Sequence, residues 1–304
     1  MLIKTMPLLA ALLALSPLTA RADLSVFACE PEWQALADEI GGDQAKTWSA
    51  TSAAQDPHQV QARPSLIARL RNADLLICSG AELEAAWLPV LLRRARNPRV
   101  QPGQPGHLMA AEQVARLEIP TSLDRSEGDI HAQGNPHIQL DPRRVLQVAR
   151  VLTERLASID AANAAHYRSR LAAFAQRWQA AMTDWSTRAL PLRGRKVVVH
   201  HRDWSYLLDW LGMDAVAALE PKPGLPASAG HLAGLKAQLA SRPVLAIIRS
   251  AHNDPGPANW LSGQTGTPVL VLPHTVDTED GPADLFALFD SLVTRLAGQA
   301  AAGP

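Results

Sequence analysis

The chain has 304 residues, 47% hydrophobic and 19% charged, which is enough apolar side chain for two cores of ordinary size. Its 29 basic and 29 acidic residues cancel to a formal net charge of zero, so it has no basic footprint for nucleic acid. Low-complexity tracts and repeats of solenoid period are absent as well.

At the N-terminus Lys4 precedes the apolar run Met6–Leu18, and Ala20-Arg21-Ala22 makes a small-x-small cleavage site before Asp23. This pattern predicts a secretory signal peptide over residues 1–22. A membrane anchor is the alternative, but the run is about 13 residues, carries Pro7 and Pro17, and falls short of the ~20 a span requires. No cysteine lies near the junction to take a lipid, and no later stretch is apolar enough to cross a membrane. A soluble, exported product is expected. Export makes Cys29 and Cys78 a candidate disulfide, with two buried thiols as the other reading.

Leu24–Ala28 reads as a strand, Glu32–Ile40 as a helix stopped by Gly41-Gly42, and Lys46–Thr51 as a second strand. Pro64–Asn72 is predicted helical, Leu75–Cys78 a strand, and Glu82–Arg94 a helix. Alternation at this spacing builds parallel sheets. From Asn97 to Pro142 the chain is rich in proline, glycine and polar residues and reads mostly as loop, longer than a compact domain keeps without a use for it. Pro142–Ser158 is helical. In residues 161–189 the large apolar side chains fall at Tyr167, Leu171, Phe174, Trp178, Ala181, Met182 and Trp185, one face of a single helix. Asp160 stands at its N-cap, and Pro191 and Gly194 follow its end. At ~1.5 Å per residue it would run roughly 43 Å, the breadth of a domain.

After Gly194 the alternation resumes. Lys196–His200 is a strand, Trp204–Leu211 a helix closed by Gly212, and Ala215–Leu219 a short strand. His231–Leu239 is a helix, Val244–Ile248 a strand, Ala258–Thr265 a helix, Val269–Leu272 a strand and Asp284–Ala297 the last helix. The predicted fold is α/β. Two lobes, each a mainly parallel sheet flanked by helices, occupy residues 23–158 and 192–304, and one long rigid helix within 159–191 joins them. Such a plan leaves a cleft where the carboxyl ends of both sets of strands meet.

Three places bring histidine to that cleft. His58 follows Asp56-Pro57, His137 lies in Gly134-Asn135-Pro136-His137 ahead of Asp141-Pro142, and His200-His201 end a strand of the second lobe. A lone loop histidine is more often simply hydrogen-bonded. Several facing one cleft from both lobes suit zinc, which takes four ligands and favours imidazole nitrogen. Trp33, Trp87, Trp210 and Trp260 sit on amphipathic helices and read as core. Residues 220–224, Glu-Pro-Lys-Pro-Gly, read as a rigid loop beside the cleft.

Asp56-Pro57-His58 with Pro64-Ser65 and Asn72-Ala73-Asp74-Leu75 resembles the first-lobe pattern of the periplasmic zinc and manganese solute-binding proteins of ABC importers. Asn135-Pro136-His137-Ile138 with Asp141-Pro142 resembles that family's second histidine motif, and His201 with Trp204 and Tyr206 resembles its third. The resemblance implies a metal held between two α/β lobes by His58, His137 and His201. His200 is set aside because neighbours on a strand point to opposite faces. A fourth ligand is implied from a loop near the C-terminus, where Asp277, Glu279, Asp280 and His274 are available. Asp277 is the expected one, with water as the alternative. Three imidazoles and one carboxylate favour Zn²⁺ over Mn²⁺. His131, with Asp124, Glu127 and Asp129 nearby, is a candidate accessory residue on a mobile lid, an ordinary solvated loop being the preferred reading.

By the same resemblance the protein captures Zn²⁺ in the periplasm and passes it to a membrane permease driven by a separate ATPase, since no phosphate-binding loop of the Walker type occurs in the sequence. A monomer is expected, and a periplasmic metallochaperone is a candidate loading partner. It is not expected to be an enzyme. A zinc-dependent hydrolase and a binding protein for a metal chelate, such as a siderophore or corrinoid, are the competing readings.

Overall fold

The computed structural model describes residues 23–121 and 131–303; the predicted signal peptide and the acidic residues Asp124, Glu127 and Asp129 lie outside them. Two four-stranded, wholly parallel sheets are present among the described residues. The first runs β2–β1–β3–β4, with β1 at Leu24–Ala28, β2 at Ala45–Ser49, β3 at Leu75–Cys78 and β4 at His107–Met109. The second repeats that order as β6–β5–β7–β8, with β5 at Lys196–Val199, β6 at Asp214–Ala218, β7 at Ile247–Arg249 and β8 at Val269–Val271. β1 and β3 are short apolar runs buried almost throughout, as central parallel strands must be. In both sheets the chain leaves the second-position strand in opposite directions, which opens a crevice at its carboxyl end.

Helices α1 (Pro31–Gly41), α2 (Pro64–Arg71), α3 (Leu88–Ala95) and α4 (Pro142–Ile159) cover the first sheet, and α6 (Ser205–Leu211), α7 (Ala229–Ala240), α8 (Pro255–Thr265) and α9 (Leu285–Ala301) the second. Between them α5 spans Ala164–Arg188, 25 residues or ~38 Å. It begins later than the sequence suggests. Asp160 ends α4, its carboxylate takes hydrogen bonds from Asn163 and the Tyr167 hydroxyl, and a 3-10 turn at Ala161–Asn163 precedes α5. Tyr167, Phe174, Trp178 and Trp185 are buried on the predicted face, while Leu171, Ala181 and Met182 are half-buried. Trp178 donates its indole N–H to the Pro142 carbonyl and packs edge-on against Trp185, Phe286 and Phe289. One apolar cluster therefore runs from α1 and α4 through α5 into α9. Each fully buried aromatic there contributes about 2–3 kcal/mol of apolar burial, so the core itself ties the lobes together.

Some local expectations fail for identifiable reasons. Residues 82–87 are turns instead of the start of α3, because Ala81 and Glu82 take left-handed backbone angles (φ 47° and 71°) that no helix continues. β4 lies inside the stretch read as loop; three residues are too few to show a periodicity. Trp260 is 41% exposed on α8, not core, whereas Trp33 and Trp87 are 1% exposed and Trp210 is half-buried.

Cys29, just past β1, and Cys78, the last residue of β3, are joined as a disulfide across the two adjacent strands. Beside it three carboxyl groups are buried at the edge between the lobes. Glu30 accepts from the Ser79 N–H and hydroxyl and shares a hydrogen bond with Glu84; Glu84 accepts from the Gly80 N–H; Glu32 accepts from the Thr275 hydroxyl of the second lobe. Burial, with the charges of its neighbours, pushes Glu30 well above the usual carboxylate range, and burial lifts Glu32 and Glu84 to about 7. A carboxyl-to-carboxyl hydrogen bond needs a proton, which these shifts supply. The folded pKa values exceed the unfolded ones, so this stabilisation is complete below about pH 4.5 and is lost as pH rises through about 7. Glu30→Gln supplies the proton permanently. The variant should melt above the wild type at pH 8, by about 1 kcal/mol or more, and the advantage should vanish at pH 4.5. Paired thermal melts at the two pH values check this; equal shifts at both would contradict it.

Candidate metal centre

The crevice between the lobes collects four histidines from three separate segments. His58 stands in the loop after β2, where Asp56 accepts both its backbone N–H (2.9 Å) and its Nδ1 (2.8 Å) on one oxygen. The motif thus builds its own support: the carboxylate two residues back fixes the ring. His137 precedes α4 and is 5% exposed. Its backbone N–H donates to the Asn135 side chain, whose amide donates to the Arg202 carbonyl of the second lobe (2.7 Å). Asp141 caps α4 through the Arg143 N–H and is gripped by Arg143 and Arg144, which sets where that helix starts. His201 follows β5, and its Nδ1 is 2.7 Å from Glu220 beyond the end of β6. Tyr206 donates its hydroxyl to the Asn135 carbonyl and accepts the Leu117 N–H, a second tie across the cleft.

The structure also brings His131 here, against the preferred expectation of a solvated loop. The Ala132 N–H donates to Glu82, and the Gly134 N–H closes a turn on the His131 carbonyl. Gly134 has φ 99°, and a Cβ there would fall 2.9 Å from the Leu117 carbonyl, so only glycine makes this approach. The ring of His131 stacks at 5.4 Å on His58 and meets His137 at 6.3 Å. Asp277 is not brought to the site. Its carboxylate caps its own turn by accepting the N–H groups of Glu279 and Asp280, and it borders a separate surface pocket with Pro31 and Asp38. His200 makes no ring contact with these histidines among the described residues and lines neither cavity beside them; its Nε2 lies 3.9 Å from Glu220.

The spacings fit one ion. Zinc takes imidazole nitrogen at about 2.0–2.1 Å, so a ligating ring is centred ~3.2 Å from the metal and two tetrahedral rings lie ~5.2 Å apart. His58, His137 and His201 are centred 5.5, 5.6 and 5.7 Å from one another. The ligand atoms of His58, His131 and His137 all lie within 4.8 Å of each other. Nε2 of each of these three rings is buried without a hydrogen-bond partner. A carboxylate only accepts, so Asp56 and Glu220 hold hydrogen on Nδ1 of His58 and His201 and leave the lone pair on Nε2.

Electrostatics keep the cage receptive. Burial, then the neighbouring histidine charges, lowers His131 to about 3 and His137 well below the ordinary imidazole value. Burial acts against charge on His201 too, but the hydrogen bond and charge of Glu220, with Asp203, outweigh it and raise its pKa. Asp56 is held at about 2: burial would raise it, and His58 overrides that. Glu220 is lowered in the same way by His201. A cavity of about 720 Å³ is lined in part by His131, His137, His201 and Glu220, and a smaller pocket of about 60 Å³ is lined by His58, His137, His201, His252 and His274 among others.

Sequence reasoning passed over Asp56 and Glu220 as supporting groups. The first was legible as the acid two residues before a histidine; the second, 19 residues from His201, carried no local signal. Glu220→Gln should weaken zinc binding about 10–100-fold at pH 8 by releasing the His201 ring. It should also move the acid-induced loss of affinity to lower pH, because the raised His201 pKa falls back once its partner is neutral. Competition titrations across pH measure both, and an unchanged profile would contradict the role.

Comparison with known proteins agrees with the geometry. The profile of the family described as "Zinc-uptake complex component A periplasmic" matches residues 26–299. The chain is 25% identical over 281 residues to the high-affinity zinc uptake system protein ZnuA of Paracoccus denitrificans, covering 81% of this chain and 82% of that one. It is 24% identical over 224 residues to ZnuA of Yersinia pestis, covering 69% and 70%, and 23% identical over 261 residues to the iron-binding protein YfeA of the same organism, covering 83% and 78%. A crystal structure of ZnuA superposes with a TM-score of 0.77 at 21% identity, over 92% of this chain and all of that one. With the profile spanning both sheets and α5, the chain belongs to the family of periplasmic zinc-uptake complex A components.

Proposed function

We propose that this protein captures Zn²⁺ in the periplasm and delivers it to a membrane permease powered by a separate ATPase. The observation that carries the reading is the convergence of His58, His131, His137 and His201 from both sides of the cleft, with three Nε2 atoms buried and unpartnered. Four imidazole nitrogens suit zinc better than manganese, which favours oxygen. The named activity of the ZnuA relatives supports the same cargo. On this reading residues 1–22 are removed on export, residues 23–158 and 192–304 form the lobes around the helix within 159–191, and the mature protein works as a monomer. A small metallochaperone is a candidate source of the ion. No helix among the described residues is long and apolar enough to cross a membrane.

The ligand set differs from the sequence expectation in its fourth member: His131 takes the place given to Asp277. Four nitrogens fill a tetrahedral zinc shell, which leaves no position for an activated water, so the site is one that holds and releases instead of one that hydrolyses. His131→Ala should therefore weaken zinc binding at least about tenfold, ~1.4 kcal/mol, while Asp277→Ala leaves it unchanged. Competition with a chromophoric chelator measures both. The reverse result would restore Asp277 as a ligand and return His131 to a solvated loop.

A further inference from the structure

Beside the rings, residues 116–118 are tied to both lobes. Arg116 donates from Nε to the Gln133 carbonyl (2.5 Å) and from Nη1 to the Ala111 carbonyl (2.9 Å), and the Leu117 carbonyl accepts the Asn135 N–H (2.9 Å), all within the first lobe. The Leu117 N–H donates to the Tyr206 hydroxyl of the second lobe (3.0 Å). Held at these points, Glu118 takes φ 53°, a left-handed backbone that an L side chain keeps only where its surroundings fix it. Glycine would take that angle without strain, so the side chain is what glutamate adds here.

That side chain joins the segments that carry two of the proposed ligands. One Glu118 oxygen accepts from the Asn135 amide (2.8 Å), and the other from the Ser205 hydroxyl (3.0 Å), which also reaches the Arg202 carbonyl (3.2 Å). Asn135 is 6% exposed, and the rest of its polar groups are engaged too: the amide also donates to the Arg202 carbonyl, the side-chain oxygen takes the His137 N–H, and the backbone carbonyl takes the Tyr206 hydroxyl. Arg202 directly follows His201, and Ser205 opens α6 three residues later. The backbones of His137 and His201, whose rings are centred 5.7 Å apart, are therefore linked through two hydrogen-bonded side chains. Arg202 Nη1 lies 3.8 Å from Glu118 on a side chain 64% exposed, so charge adds little and the hydrogen bonds carry the link.

We propose that Glu118 is a positioning residue for the metal centre: it holds the His137 segment of the first lobe against the His201 segment of the second and so slows the escape of the ion. The inference rests on His137 and His201 as ligands. Removing the Glu118 carboxylate leaves the four rings, with Asp56 and Glu220 behind them, in place for capture. What it removes is a link across the cleft that must open before the ion leaves, and a loss of that kind acts on dissociation.

Zinc release from the whole exported chain into excess chromophoric chelator, followed by stopped flow, tests this. Glu118→Ala should release zinc about tenfold faster, with association changed less than about twofold. Glu118→Gln should stay within about twofold of the wild type, because its amide oxygen accepts from Asn135 and its amide hydrogens reach the Ser205 hydroxyl. Ser205→Ala should quicken release on its own, and the double variant Glu118→Ala/Ser205→Ala should be no faster than Glu118→Ala, since both changes break the same bond. Release at the wild-type rate from Glu118→Ala, while His137→Ala abolishes tight binding, overturns the role of Glu118 and leaves the ligands standing. Full affinity in both His137→Ala and His201→Ala overturns the ligand assignment and this inference with it. Release from Glu118→Gln as fast as from Glu118→Ala overturns positioning by hydrogen bonds. Should Glu118→Ala not fold, Ser205→Ala decides alone: severalfold faster release supports the link, and an unchanged rate overturns it.

Discussion

Imidazole nitrogens that meet at one point, deep in the protein and without hydrogen-bond partners, are the constraint to which the rest of this structure answers. Leaving a buried polar atom unpaired costs about 1–3 kcal/mol, and Nε2 of His58, His131 and His137 are all in that state. A fold tolerates this only where other interactions hold the groups in place. Here the holding is done by the aromatic core of α5, which is continuous with both lobes, and by the cross-cleft bonds of Asn135, Tyr206 and Glu32. A metal ion removes the penalty at a stroke, so binding free energy and folding free energy are the same quantity at this site.

On the proposed four-histidine reading, the two lobes do different work around the ion. The first contributes three of the four rings, from the loop after β2 and from the segment just before α4. The second contributes His201, whose pKa is raised by Glu220 on its own lobe, whereas burial lowers those of His131 and His137. Protons therefore compete with metal at His201 more than at His131 or His137. That asymmetry gives release a direction: a small separation of the lobes, or protonation of a single ring, lowers a four-coordinate shell to three without dismantling the rest.

Much of this was legible in the sequence because it is local. Parallel sheets followed from apolar runs such as Leu24–Ala28 and Leu75–Cys78 alternating with helices, and α5 from aromatics spaced three and four apart. His58 and His137 stood out because proline and carboxylate neighbours marked each as a fixed position, and His201 because it ends a strand and is followed by Trp204 and Tyr206. What stayed hidden depends on distant parts of the chain. His131 sits in a polar stretch that reads as solvent-exposed, and only the tight turn at Gly134 and the hold of Glu82 on Ala132 bring it inward. Asp277 was a reasonable carboxylate on the expected loop, but acidic composition says nothing about direction, and the side chain turns back to cap its own backbone. Trp260 lay on a helix too weakly amphipathic to show which face was inward.

The claim beneath all of this is that one zinc ion sits at the common focus of the four rings. Crystals soaked with zinc and measured on either side of its absorption edge test it most directly. The account predicts a strong anomalous peak within about 2.0–2.1 Å of Nε2 on His58, His131, His137 and His201. A principal peak bound elsewhere, or one touching fewer than three of these rings, would contradict it.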